Sequence, residues 1–254
     1  MVEHSASGRQ QPGDEGAADP VVAATLAAYA AGAGSEHAAL TALAGTRLLV
    51  PVVAVLADAA AGAGSANEAD GSSPDRARGG TAEKISEMAL PTLVGHDGRL
   101  AVLAFTCLDS LTRWRPDARP VPVPADRVWQ AGAQEASAVV IDVAGPVPLA
   151  VDGARLAALA GGGTVPLPHE DPDVRAAAEA ALAGETLITG ARLAGPGDGS
   201  DITLLVTLAP GCDPALAGAA VRRAVAGLMA RTGGRFRRGV EVAVVETTRT
   251  LSQS

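Results

Sequence analysis

The sequence predicts an α+β protein: an N-terminal mixed sheet with helices packed on it, then a small α+β domain with an antiparallel hairpin and one long helix. Three observations carry this. The β-branched apolar runs RLLVPVVAVL (47–56), RLAVLAFT (99–106) and AVVIDV (138–143) read as strands. Asp-Pro stands at 19–20, 171–172 and 213–214, each time before an Ala-rich apolar segment. The Asp side chain can cap the free N–H groups of a first turn, and Pro at the first helical position loses no useful N–H. Finally, turn text at GHDG (95–98) and GPGDGSD (195–201) separates strand runs and predicts hairpins.

Taken in order, residues 1–18 are polar and Gly-rich without periodicity and read as a disordered tail. An N-terminal domain spans 19–163. Its first helix covers Val21–Ala31, and Ser35 caps a second one ending near Ala44. The strand 47–56 contains Pro51, which suggests an edge or a bulge. Residues 59–80 form a low-complexity flexible loop. Strands at Glu87–Val94 and Arg99–Thr106 make a hairpin, the second nearly continuous in apolar residues and so buried on both faces. Asp109 is expected to cap the short helix DSLTRW, after which Pro116–Pro124 runs extended. A helix at Ala125–Gln134, strands at Ala138–Val143 and Val147–Val151, and a helix capped by Asp152 complete this domain. The Gly161-Gly162-Gly163 triplet and TVPLPHE mark a boundary. A second domain at 171–248 then runs helix (Asp171–Ala183), strand (Glu185–Ala194), strand (Ile202–Leu208), helix (Pro214–Arg231) and strand (Val240–Glu246).

Composition narrows the function classes. With 254 residues and 48% hydrophobic content the chain can fill a core without disulfides or metals, and 2% aromatics make that core aliphatic. A net charge of −8 argues against a general nucleic-acid or anionic-membrane binder. The apolar runs fall short of the ~20 residues of a membrane helix. Cys107 and Cys212 lack CxxC spacing, which fits a reducing cytoplasm. His4, His37, His96 and His169 have no ligand-spaced neighbours, so neither a metal nor a cofactor is expected. The cations are 19 Arg and one Lys, which reads as the codon bias of a GC-rich bacterial genome, and an actinobacterial source is expected.

The stretches LLVPVVA, EMALPTLVGHDGRLAVLAFTCLDSLTRW and SAVVIDVAGPVPLAV follow the ordered strand and helix text of SseB-type proteins, the enhanced serine sensitivity family, which this chain resembles. The resemblance covers about residues 20–162 as an N-terminal domain, and the chain after Asp171 is similar to the family's C-terminal domain. It implies a cytoplasmic, non-enzymatic interaction or regulatory protein linked to serine sensitivity, and no catalytic residues to carry over.

Among the residues themselves, the strongest electrostatic feature is the acid-free stretch VRRAVAGLMARTGGRFRRGV (221–240). Arg222, Arg223, Arg231, Arg235, Arg237 and Arg238 read as cations that the dipole favours around the end of a helix, or as a basic surface for a protein partner, with RNA as the alternative and Phe236 as its stacking residue. Val221, Val225, Leu228 and Met229 are expected to be the buried face of that helix. Trp114, beside the Pro-rich PDARPVPVP segment, reads first as a filler of the aliphatic core and second as a candidate partner contact. Cys107 reads as a small buried side chain, and the enzyme alternative centres on its place at a helix start or on Asp142, a carboxylate within an apolar strand that is expected to face outward.

Overall fold

The computed structural model describes residues 16–52, 92–95 and 98–245. The expected tail, the loop 59–80, His4, His96 and the last residues lie outside these or at their margins. The described residues form seven helices and nine strands.

Local capping chemistry starts the first two helices as expected. The Asp19 carboxylate accepts from the N–H of Val21 and Val22 at the head of α1 (Pro20–Ala30), at 2.8 and 3.3 Å. Ser35 Oγ accepts from Ala38 N at the head of α2 (Glu36–Ala44). The two helices pair through Val22, Leu26 and Tyr29 against Ala39, Leu40 and Leu43, all buried.

Strand β1 (Arg47–Val52) pairs antiparallel with β4 (Arg119–Pro124), with Arg47, Leu49 and Pro51 opposite Pro124, Pro122 and Pro120. Leu49 turns its N–H and C=O the other way, to Phe105 at 2.7 and 2.8 Å. The prolines therefore occupy the alternate positions that do not donate into the β1–β4 ladder. This is how Pro51 sits inside a strand without a bulge, and how the outer edge of β4 is left without donors at every second residue.

A four-stranded sheet in the order β2-β3-β5-β6 is formed by β2 (Thr92–Val94), β3 (Leu100–Ala104), β5 (Ala138–Ile141) and β6 (Leu149–Asp152). β3 and β5 are parallel, joined by a crossover through α3 (Leu108–Trp114), β4 and α4 (Ala125–Glu135). The central strand is buried on both faces, as its composition requires. Val102 and Ala104 join Trp129 in the larger core, and Leu103 packs with Phe105 and Leu111 on the other side. Gly132 lets α4 close onto β5, since a Cβ there would lie 2.2 Å from Val139. Helix α5 (Gly153–Ala160) packs beside α4.

The chain from 161 to 170 is less of a free linker than its glycines suggest, because Val165 is buried in the larger core. Beyond it come α6 (Pro172–Leu182), β7 (Ile188–Ala194), β8 (Ile202–Leu208), α7 (Pro214–Arg231) and β9 (Val240–Val244), with the sheet ordered β7-β8-β9. Asp171 and Asp213 cap α6 and α7 through their side chains. All three Asp-Pro starts are thus present.

Three local expectations are revised. Cys107, with no side-chain cap bond, is the N-cap of α3, and Asp109 lies inside the first turn, where the helix dipole still favours an acid. Asp152 precedes α5 without capping it, because arginines hold its carboxylate. In α7 the fully buried stripe is Ala217, Ala220, Ala224 and Leu228, while Val221, Val225 and Met229 are half-buried. Small side chains let α7 approach α6 closely, where a Cβ on Gly227 would come 3.2 Å from that of Ala181.

The exposed cap at Asp213 accepts from Ala215 and Leu216 N at 2.8 and 3.0 Å. Asp213→Ala is expected to cost about 1 kcal/mol, read as a lower urea midpoint at unchanged slope.

Candidate functional site at an arginine-lined cleft

Five ionised side chains from three regions of the sequence alternate in charge along one chain that is buried except at Asp152. Asp152 Oδ1 meets Arg155 Nη2 at 2.5 Å, and Arg155 Nη1 meets Glu36 Oε1 at 2.5 Å. Glu36 Oε2 meets Arg235 Nε at 2.9 Å, and Arg235 Nη2 meets Asp171 Oδ2 at 2.7 Å. Glu36, Arg155 and Asp171 are almost wholly buried. Asp171 serves twice, since its Oδ1 accepts from Asp173 N in starting α6. Burial works against the Arg235 charge, but Glu36 and Asp171 outweigh it and hold its pKa above the ordinary arginine value. Tyr29, packed against this group, donates its hydroxyl to the Arg235 carbonyl at 3.2 Å. Burial, then the nearby Glu36 charge, raises its pKa, with Arg237 acting in the opposite sense.

Above this chain lies an open cleft of about 530 Å³ between the end of α7 and the start of α5. Arg155 and Arg235 form its floor. Arg99 pairs with Asp152 at 3.2 Å along one wall. On the other, Asp173 reaches across so that its Oδ2 accepts from Ala154 N at 2.7 Å, at the head of α5. Gly153 makes this possible. It has φ +52°, and a Cβ there would lie 2.1 Å from that oxygen. The rim carries Arg231 and Arg237, the latter stacked 5.3 Å from the Tyr29 ring centroid. Among the described residues neither has a carboxylate partner.

The basic stretch read from sequence is therefore divided. Arg231, Arg235 and Arg237 come together at the cleft. Arg222 and Arg223 are exposed elsewhere on α7, with Arg223 forked onto Glu185 at 2.9 and 2.7 Å. Arg238 is folded back on buried Asp201. Phe236 is only 4% exposed, in a core with Val174, Ile202 and Leu228, so its ring offers no stacking surface. Trp114 lies in the second core of the N-terminal part, half-buried, 5.6 Å from the Phe105 ring and with Arg115 5.4 Å above it. The roles of Glu36, Arg155, Asp173, Arg99 and Tyr29 carry no mark in the sequence. The contact between Glu36 and Arg235 spans 199 residues, and only the cap role of Asp171 was readable locally.

The corner holding Cys107 and Asp142 lies at the carboxyl ends of β3 and β5. Asp142 does not face outward. It is buried, with φ 49°, and its carboxylate accepts from Thr106 N at 2.9 Å and Thr106 Oγ1 at 2.6 Å. Burial outweighs these bonds and a contribution from Ser110, and raises its pKa above the usual aspartate value. Ser110 Oγ is also 3.4 Å from Cys107 Sγ. The carboxylate ties the end of β5 to the chain leaving β3.

Because Asp142 holds its proton more firmly in the folded chain, its contribution to stability is complete below about pH 4 and falls as pH climbs through the folded-state pKa. Asp142→Asn keeps partners for Thr106 and suits the left-handed backbone, so it is expected to abolish that fall in urea titrations run between about pH 4 and 7. Removing Arg235 leaves Asp171 and one oxygen of Glu36 buried without their cation. Arg235→Met is expected to cost about 3–5 kcal/mol, measured the same way.

The sequence model of the SseB protein N-terminal domain matches residues 22–158, more than half of the 254 residues and the segment running from α1 into α5. No curated protein and no solved structure matches the chain. The matched segment contains both sheets of the N-terminal part and the Glu36–Arg155 pair beneath the cleft, and the chain belongs to the SseB family.

Proposed function

We propose that this SseB-family protein acts in the cytoplasm without catalysis, as a regulatory module that binds a protein partner and bears on serine sensitivity. The observation that carries the reading is how the ionisable groups are used. Glu36, Arg155, Asp171 and Arg235 neutralise one another inside the structure, and Thr106 occupies the Asp142 carboxylate. Groups committed in this way serve as geometry, since proton transfer needs a group poised at an accessible reacting atom. The exposed arginines of α7 remain at the surface, Arg223 forked onto Glu185 and Arg222 beside it, and a local basic face on a chain of net charge −8 suits an acidic partner surface. Two unpaired, half-exposed cysteines and the lack of any membrane-length apolar helix among the described residues support the assigned compartment.

Capture experiments with the full chain test this directly. The wild type is expected to retain a discrete protein partner that elutes with added salt, and the double variant Arg222→Glu, Arg223→Glu to lose it. Cys107→Ser and Asp142→Asn should leave both capture and growth on serine unchanged. Loss of the serine phenotype in either folded variant would instead establish the thiol or carboxylate enzyme. Capture of RNA in place of protein would support the nucleic-acid alternative.

A further inference from the structure

We propose that the cleft between α5 and the end of α7 is a binding site for a small multivalent oxyanion, one bearing phosphate or carboxylate groups. The inference is independent of the partner reading.

Charge arithmetic comes first. The cleft is lined by five arginines and two aspartates. Two further acids, Glu36 and Asp171, meet its floor arginines from behind. Even with all four acids counted, the described residues of the site hold one more cation than acids, although the chain as a whole is strongly acidic. The helix ends do not change this, because the negative end of α7 and the positive end of α5 enter the same cleft and offset each other.

The surplus is also localised. Arg155 and Arg235 are held rigid by their acids, and Arg99 is joined to Asp152. Among the described residues, the cleft cations without a carboxylate partner are Arg231 and Arg237. Arg231 donates to Gly227 O in the last turn of α7, a place the helix dipole itself favours. That accounts for Arg231 alone. Arg237 lies beyond the helix, and Tyr29 holds it over the cleft. Two guanidinium groups on one rim, over a floor containing two more, present forked donors that match carboxylate and phosphate oxygens.

Size selects among anions. A cleft of about 530 Å³ falls in the range of small-molecule pockets and is too small for a macromolecular chain to thread. The chain already demonstrates the chemistry on one wall, where the Asp173 carboxylate docks on the Ala154 N–H. A ligand contacted by Arg99 and Arg155 of the N-terminal part and by Arg231, Arg235 and Arg237 of the C-terminal part would join the two parts, so binding should raise the melting temperature of the whole chain.

The test is titration of the full chain with pyrophosphate and, separately, citrate, followed by calorimetry and thermal melting at constant ionic strength. Saturable binding and a rise in Tm are expected with at least one of them. Preference for pyrophosphate would assign a phosphorylated ligand, and preference for citrate a polycarboxylate. The exposed double variant Arg231→Ala, Arg237→Ala should weaken binding about tenfold or more, and Arg222→Ala, on the same helix outside the cleft, should leave it unchanged. Absence of saturable binding to both anions would overturn the proposal, as would an equal loss in Arg222→Ala, which would mark a diffuse counter-ion effect.

Discussion

The alternating chain Asp152–Arg155–Glu36–Arg235–Asp171 is the constraint on which the rest of this structure depends. Taking five charges out of water is costly, and the cost is offset only when each finds its counter-charge at hydrogen-bonding distance. Glu36 divides its two oxygens between Arg155 and Arg235, so the start of α2, the first turn of α5 and the loop after α7 can meet in only one arrangement. Apolar contacts alone would tolerate sliding between these elements. A bidentate carboxylate does not, and the network contributes specificity of packing more surely than it contributes net stability.

That rigidity shapes the cleft above. Arg155 and Arg235 would otherwise be long, mobile side chains whose ordering on a ligand costs entropy. Here their acids have already fixed them, and Asp173 braces the opposite wall through a position that only glycine fits at residue 153. The N-terminal SseB domain supplies Tyr29, Arg99, Asp152 and Arg155, and the C-terminal part supplies Asp173, Arg231, Arg235 and Arg237. Neither set makes the cleft alone. The Asp142 corner obeys the same logic on a smaller scale, as a buried acid satisfied by one threonine fastens two strand ends.

Helix starts at Asp19, Ser35, Asp171 and Asp213 were legible because capping joins residues two or three apart, so the information is local. The same rule failed at Asp152, where Arg155 and Arg99 compete for the carboxylate, and at Asp109, where the N-cap is Cys107, two residues earlier than the Asp suggests. Periodicity identified α7, but hydrophobicity misjudged its buried face. Contact distance with α6 selected alanines over the larger valines. Three of the five cleft arginines, Arg231, Arg235 and Arg237, were visible in an acid-free run, whereas the acids lay far along the chain, Asp152 and Asp171 marked only as helix caps and Glu36 and Asp173 not at all.

What the sequence by itself determined is the set of elements: apolar runs that must be buried as strands, caps that start helices, turns that close hairpins, and a chain rich enough in aliphatic side chains to fill its cores. Which charges meet was decided only by the tertiary structure. Arg235 reads as one cation of a basic surface until Glu36 and Asp171 are brought to it from 199 and 64 residues away. Solvation is the physical reason. An arginine at the surface and an arginine in a buried pair look alike in sequence, and only the packing around each one determines whether water or a carboxylate answers its charge.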